Sequence, residues 1–233
     1  MTNVETTKFQ ETLHEHAFWL YGVIAGLAIE EALGSVIPHL FTRAEVSGGA
    51  SQDTKLLFAA FFRLAVFLIV IIRFYVGSAL FFESAHIHVP EHARESKRSY
   101  ALDFVTGLIH FLLFFIWAFS IDVHTKGLRW FPALLALILL YDVLWVLIYL
   151  LKGLDKHPLV TFWTMINALT LLLAGLLYAW LRRQPLVAEQ VAFIVVIVAS
   201  LVDLYEMMTG KESFFKRAID HLHSSLQKSR ART

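Results

Sequence analysis

Residues 56–82 read LLFAAFFRLAVFLIVIIRFYVGSALFF, an apolar run in which only Arg63 and Arg73 carry a charge. A helix of about 20 apolar residues crosses the core of a bilayer, so this run is long enough to be a membrane span. Five further apolar runs of similar length occur on either side of it. The six blocks lie at 17–41, 56–82, 101–121, 130–151, 159–180 and 186–208. The sequence therefore predicts an all-α, polytopic membrane bundle of six transmembrane helices.

The overall composition agrees with this interpretation. Of 233 residues, 58% are hydrophobic and 17% are charged, and the mean hydropathy is +0.63. A soluble domain usually carries about a quarter charged residues. We divide the chain into an N-terminal segment 1–16, a transmembrane domain 17–208 and a tail 209–233. Because no long segment remains outside the membrane, activity is expected within the bilayer or at its edge.

Simple counts exclude several classes of protein. The chain has no cysteine, so it has no disulfide, thiolate metal site or iron–sulfur cluster. No lysine lies inside the six blocks, which removes the attachment point for a retinal Schiff base. The net charge is +1 and no phosphate-binding loop is present, so nucleic acid is not expected as a partner.

The positions of the basic residues predict that both termini lie in the cytoplasm. Six crossings put the termini on one side, whose segments hold twelve Lys and Arg against six in the opposite loops. In the tail, Phe215, Ile219, Leu222 and Leu226 recur at helical spacing. The tail is therefore expected to be a cytoplasmic amphipathic helix that lies on the bilayer or pairs with a second copy in a homo-oligomer.

Polar residues inside the blocks are the main functional signal. An ionisable group near the bilayer centre costs about 2.5–3.5 kcal/mol on insertion scales. At about 1.5 Å rise per residue, one polar side chain from each of four successive helices lies about 12–14 Å from the predicted cytoplasmic face. The four residues are Arg73, His110, Asp142 and Asn167. We call them the polar layer and expect them to line a common centre.

This layer suggests transport of protons or small cations. Asp142 would be the binding carboxylate, Arg73 would control its charge and His110 would relay protons. Asp103 and Asp203 lie nearer the predicted cytoplasmic end, where their charge would attract cations to an entrance. A structural clamp with Arg73 paired to Asp142 explains the same residues. A channel and a carrier are both compatible with the pattern.

A second polar pair is predicted in the other half of the membrane. Glu30 lies seven residues from Ile37, just before Pro38 is expected to end the helix, and Arg63 lies seven residues from the same end of its block. Equal depth on adjacent helices predicts a structural ion pair. Gly22, Gly26 and Gly34 share the four-residue spacing of Glu30. Such a groove of small residues lets another helix approach closely.

Histidines on the predicted cytoplasmic side suggest a different function. His86, His88 and His92 lie in a Pro-containing segment, where an extended His-x-His places both rings on one side and can bind Zn²⁺ or Fe²⁺. A possible divalent metal is therefore the one cofactor considered. The alternative function is a non-transporting sensor or recruitment module whose His-rich faces bind a partner protein, lipid or metal.

An enzyme acting on a lipid or quinone is the third hypothesis. Ser84, near His86 and Asp103, is the one nucleophile that the sequence offers beside a base. The pattern favours a protein that is not an enzyme.

Overall fold

The computed structural model confirms six long, apolar helices. It describes residues 3–41, 50–82, 97–121, 123–151, 158–181 and 183–209, which are all-helical apart from short turns. The helices are α1 Asn3–Phe41, α2 Ala50–Phe82, α3 Lys97–Ala118, α4 Val123–Leu151, α5 Pro158–Trp180 and α6 Pro185–Thr209. The predicted tail 209–233 lies outside the described residues except for Thr209.

Each helix contains a segment that is long and apolar enough to cross a bilayer. The segments are Glu15–Pro38, Leu57–Phe82, Ala101–Ala118, Trp130–Ile148, Phe162–Trp180 and Leu186–Met208, and they agree with the predicted blocks to within a few residues. Large apolar side chains such as Leu144, Leu172 and Val198 face outward, as they do in helices surrounded by lipid. The fold therefore indicates a multi-pass membrane protein.

Contacts between side chains show which helix ends share a face of the bundle. Tyr21 in α1 contacts Phe82 at the end of α2 and Phe104 at the start of α3. We call this side the α2–α3 face. On the other side Trp117 near the end of α3 contacts Phe131 near the start of α4, and we call that side the α3–α4 face.

The helices form a closed ring with α2 drawn towards its centre. Around the ring, α1 packs on α3, α3 on α4, α4 on α5, α5 on α6, α6 on α2 and α2 on α1, and α2 also contacts α4. In the span of α2, 56% of the residues are buried, compared with 28–39% in the other five spans. Because α2 is so enclosed, the hydrogen-bond and ion-pair partners of Arg63 and Arg73 must lie inside the bundle.

Tyr21 fixes the close approach of α1 to α3. Its buried ring stacks on Phe104 and Phe111, with centroids 5.8 and 4.8 Å away, and its hydroxyl donates to the Phe104 carbonyl over 2.7 Å. Gly107 provides the space for this ring. A Cβ at Gly107 would lie 2.5 Å from Tyr21 Oη and 2.8 Å from Cζ.

We expect Gly107→Ala to lower the free energy of unfolding by about 1–3 kcal/mol, because the enclosed Tyr21 ring cannot yield without losing its packing. Unfolding of the purified protein in mixed micelles measures the change. Gly175→Ala is the matched control, since a Cβ there meets no atom within 4 Å and alanine favours the helix. Equal stability of the two variants would show that Tyr21 does not require a glycine at 107.

The glycine groove predicted on α1 is not filled by another described helix of the same chain. A Cβ at Gly26 or Gly34 would meet nothing within 4 Å, and one at Gly22 would meet only Tyr75 Oη, at 3.6 Å. The close approach of another helix to this groove stays a prediction.

Candidate functional site

The polar layer contains a continuous hydrogen-bonded chain through four helices. Asn167 in α5 is its middle member: its Nδ2 donates to Asp142 Oδ2 in α4, and its Oδ1 accepts a 2.6 Å hydrogen bond from Arg73 Nη2 in α2. Arg73 Nε donates in turn to Asp203 Oδ2 in α6, forming an ion pair. All four side chains are buried. The shared depth read from the sequence therefore corresponds to contact for three of the four layer residues.

The ion pair in this chain differs from the predicted one. The sequence suggested that Arg73 neutralises Asp142, whereas the structure pairs Arg73 with Asp203 and reaches Asp142 only through Asn167. The reason is that α2 packs closely along α6, so the guanidinium meets the α6 carboxylate first. Within the described part of the chain, Asp142 has no ion-pair partner.

His110 lies beside this chain among aromatic rings rather than within it. Its ring is parallel to Phe114 at 5.5 Å, meets Tyr141 edge-on at 5.3 Å and lies 4.5 Å from Phe74. Its Nε2 is buried and makes no hydrogen bond with the described residues. A buried polar atom without a partner costs about 1–3 kcal/mol, so a water or ligand is expected at this nitrogen.

A cavity of about 60 Å³ connects the layer to the α2–α3 face. Its polar lining consists of Ser78, Asp103, Thr106, His110 and Asp142. The position of Asp103 near the start of α3 marks the outer part, while His110 and Asp142 mark the inner end. One water needs about 10–15 Å³ of such space, so the cavity holds several. We call it the Asp142 cavity.

The remaining wall of the Asp142 cavity is largely aromatic. It is formed by Phe81, Phe82, Trp145 and Trp163, together with Gly107 and Val146. Gly77 brings the Trp163 ring against α2, because a Cβ there would lie 2.5 Å from Trp163 Cη2. Trp163 Nε1 is a second buried nitrogen in this wall without a hydrogen bond to the described residues.

Beyond the layer, aromatic packing replaces the cavity. Phe74 contacts Phe114 at 5.2 Å, Phe114 contacts Trp117 at 6.1 Å, and Trp117 contacts Phe131 at 4.7 Å. Trp117 Nε1 also donates to the Phe131 carbonyl over 3.0 Å. In the part of the chain that the structure describes, the Asp142 cavity thus ends at the layer and reaches it from the α2–α3 face.

A second buried ion pair joins α2 to α6 nearer the α3–α4 face. Arg63 Nε donates to Glu189 Oε1 over 2.5 Å, and Arg63 Nη1 donates to the Ser120 carbonyl over 3.3 Å. The Arg63 guanidinium carbon also lies 5.2 Å from the centre of the Phe131 ring. This pair replaces the predicted one with Glu30, whose side chain is exposed on α1.

The incorrect prediction of Glu30 as the partner of Arg63 has a simple geometric cause. Equal depth made Glu30 and Arg63 candidates, but depth carries no information about which neighbour a helix face meets. Arg63 points to α6, and its long side chain reaches Glu189 although that residue lies closer to its helix end. The signal that could have found Glu189 is its position inside the sixth apolar block, near the end that lies beside Arg63.

The other predicted site residues have a mixed outcome. Asp103 is buried and lines the Asp142 cavity, and its role at an entrance stays a prediction. Asp203 is part of the buried chain rather than the entrance. His86, His88 and His92 lie outside the described residues, as does Ser84. Among the residues that are described, no group of three His, Asp or Glu is arranged to hold a metal ion.

Comparison with known proteins gives no assignment. No protein-family model, no curated protein and no solved structure is significantly similar to this chain, so the candidate function depends on the geometry of the site.

Proposed function

We propose that this chain is an integral membrane protein that moves protons or small cations between the two sides of a bilayer, with Asp142 as the binding carboxylate. One observation carries the proposal: Asp142 is a buried carboxylate that lines a cavity and has no ion-pair partner among the described residues. A carboxylate at this depth is costly to insert, and a leucine would avoid the cost. A cation that binds from the cavity offsets it.

The surrounding residues have separate roles in this proposal. Asp203 neutralises Arg73, and Asn167 holds Asp142 by one oxygen without adding charge. His110 lines the inner end of the cavity, and its imidazole is the candidate proton relay. Asp103 raises the local concentration of cations near the mouth. The distribution of basic residues orients this mouth to the cytoplasm.

The shape of the site favours a gated or alternating mechanism over a permanently open pore. The Asp142 cavity opens towards one face, and aromatic rings pack between the layer and the other. A bound cation would leave towards the α3–α4 face only after Phe114 and Trp117 move. Binding near the midplane with access from one side at a time is how many carriers work.

The recruitment module is the second candidate, and the ion pairs favour it. Arg73 with Asp203 and Arg63 with Glu189 both join α2 to α6, as a rigid clamp requires. Yet a clamp is best built with every polar atom satisfied. Here Arg73 Nη1, Asp203 Oδ1 and His110 Nε2 lack hydrogen bonds to described residues, which a fully satisfied clamp would not leave.

Flux into proteoliposomes tests the proposal. Proton, Na⁺ and K⁺ gradients are imposed in turn on vesicles that contain the wild-type chain or Asp142→Asn. Asparagine keeps the shape of the side chain and still accepts the hydrogen bond from Asn167, but it cannot bind a proton or a cation as a carboxylate does. We expect the flux of Asp142→Asn to fall to that of empty liposomes.

Thr170→Val is the matched control for this experiment. Thr170 is buried one turn from Asn167, and among the described residues its hydroxyl bonds within α5, to the Ile166 carbonyl over 2.6 Å. The variant should therefore conduct as the wild type does. Undiminished flux through Asp142→Asn would contradict the role of Asp142, and absence of wild-type flux for all three ions and for methylammonium would favour the recruitment module.

A further inference from the structure

The Asp142 cavity has a negative lining. Asp103 and Asp142 contribute carboxylates, and no Lys or Arg is among the described residues that line it. The nearby cation of the layer, Arg73, donates to Asp203 and Asn167. The Asp142 carboxylate, which has no ion-pair partner among the described residues, therefore favours a cation as ligand.

The aromatic residues in the cavity wall indicate which class of cation binds. Two tryptophans, Trp145 and Trp163, and two phenylalanines, Phe81 and Phe82, line the same cavity as the carboxylates. Aromatic faces attract ammonium groups through cation–π interactions, and cages of this kind recognise organic ammonium ions. Inorganic cations instead favour rings of oxygen ligands such as carbonyls. This wall offers more ring surface than oxygen.

The hydrogen-bonding groups also match an ammonium group. A primary ammonium ion has three N–H donors. Asp103 and His110 lie on one face of α3, and Asp142 faces the same cavity from α4. His110 is 8% exposed, and its Nε2 has no partner among the described residues. The Asp142 carboxylate, which lines the cavity and accepts from Asn167 through Oδ2, offers its second oxygen as an acceptor for such a donor.

The volume limits the size of the ligand. About 60 Å³ exceeds several-fold the space for one water, so the cavity fits a cation of two or three heavy atoms with some water. A bulky tetraalkylammonium ion is too large.

We infer that the Asp142 cavity binds a small protonated amine of about the size of methylammonium in preference to Na⁺ or K⁺. This inference rests on the proposed function, because it names the class of cation that the same site takes. The carboxylate of Asp142 provides the charge, and the rings of Trp145 and Trp163 provide selectivity against inorganic ions.

Calorimetric titration in detergent measures binding without requiring transport. The purified full chain is titrated with methylammonium chloride, NaCl, KCl and tetraethylammonium chloride at constant ionic strength. We expect saturable binding of methylammonium alone, and its loss in Asp142→Asn. Trp145→Leu should weaken it by about two- to thirtyfold, the range of a cation–π contact. Trp180→Leu, at an 80% exposed tryptophan of α5, is the matched control and should leave it unchanged.

The outcomes separate this inference from the proposed function. Equal binding of K⁺ or Na⁺, or an effect of Trp180→Leu as large as that of Trp145→Leu, would overturn the amine site. Flux of protons or K⁺ through wild-type vesicles without methylammonium binding would overturn the amine site and leave the proposed transport standing. Binding of methylammonium without flux of any ion, methylammonium included, would support the site and contradict transport.

Discussion

Arg73→Met should lower the free energy of unfolding by about 3–5 kcal/mol, the usual cost of removing one partner of a buried ion pair. The substitution removes the cation that neutralises Asp203 and the donor that binds Asn167 Oδ1, while both groups stay buried. Unfolding in mixed micelles, followed by helical circular dichroism, gives the free-energy difference.

A double variant shows whether the buried Asp203 carboxylate, left without its cation, causes the loss of stability. Arg73→Met combined with Asp203→Leu replaces the pair by apolar side chains, an exchange that is often neutral for stability. We expect it to recover most of the loss, with a small remainder from the unpaired Asn167 oxygen. A double variant as unstable as Arg73→Met alone would show that the charge of Asp203 is not what destabilises the single one.

The same double variant bears on function. It retains Asp142, His110 and Asp103, which line the cavity, and removes only the charges behind them. If the folded double variant still transports, Arg73 is structural and Asp142 acts without it. Loss of transport in a folded double variant would place the electrostatic influence of Arg73 within the mechanism.

How much of the fold the sequence predicts depends on which structural feature each physical constraint determines. Bilayer thickness sets the length of an apolar span, so the six spans are predicted to within a few residues. Bilayer thickness does not determine whether the polar residues next to a span are helical. The extension of α1 back to Asn3 is therefore not predicted. The relative depths of Arg73, Asp142 and Asn167 follow from their positions within the spans and are predicted as well. Asn167 lies between Arg73 and Asp142.

Rotation and neighbour order are what the sequence leaves open. Every span is apolar on most of its faces, so hydrophobic periodicity does not indicate which face meets which helix. The partners of both arginines lie on α6, a helix distant in sequence that becomes their neighbour when the ring closes between α6 and α2. The Asp142 cavity likewise depends on Gly77 admitting the ring of Trp163, a contact that no spacing rule predicts.

The second buried pair leads to an equally large prediction. Arg63→Met leaves Glu189 buried without its cation and the Ser120 carbonyl without this donor, so we again expect a loss of about 3–5 kcal/mol. Arg63→Met with Glu189→Leu should recover most of it. Equal instability of the single and double variants would exclude the charge of Glu189 as the cause.

Introducing Arg63→Met into the Arg73→Met/Asp203→Leu background then tests whether the two pairs act together. They are ten residues apart on α2, or about 15 Å, and share no partner, so their effects should add to within about 0.3–0.5 kcal/mol. A larger difference would mean that α2 and α6 move as one unit. Coupling would favour alternating access, in which opening of the α3–α4 face at Arg63 is linked to closing of the Asp142 cavity, whereas the expected additivity favours a gate confined to Phe114 and Trp117.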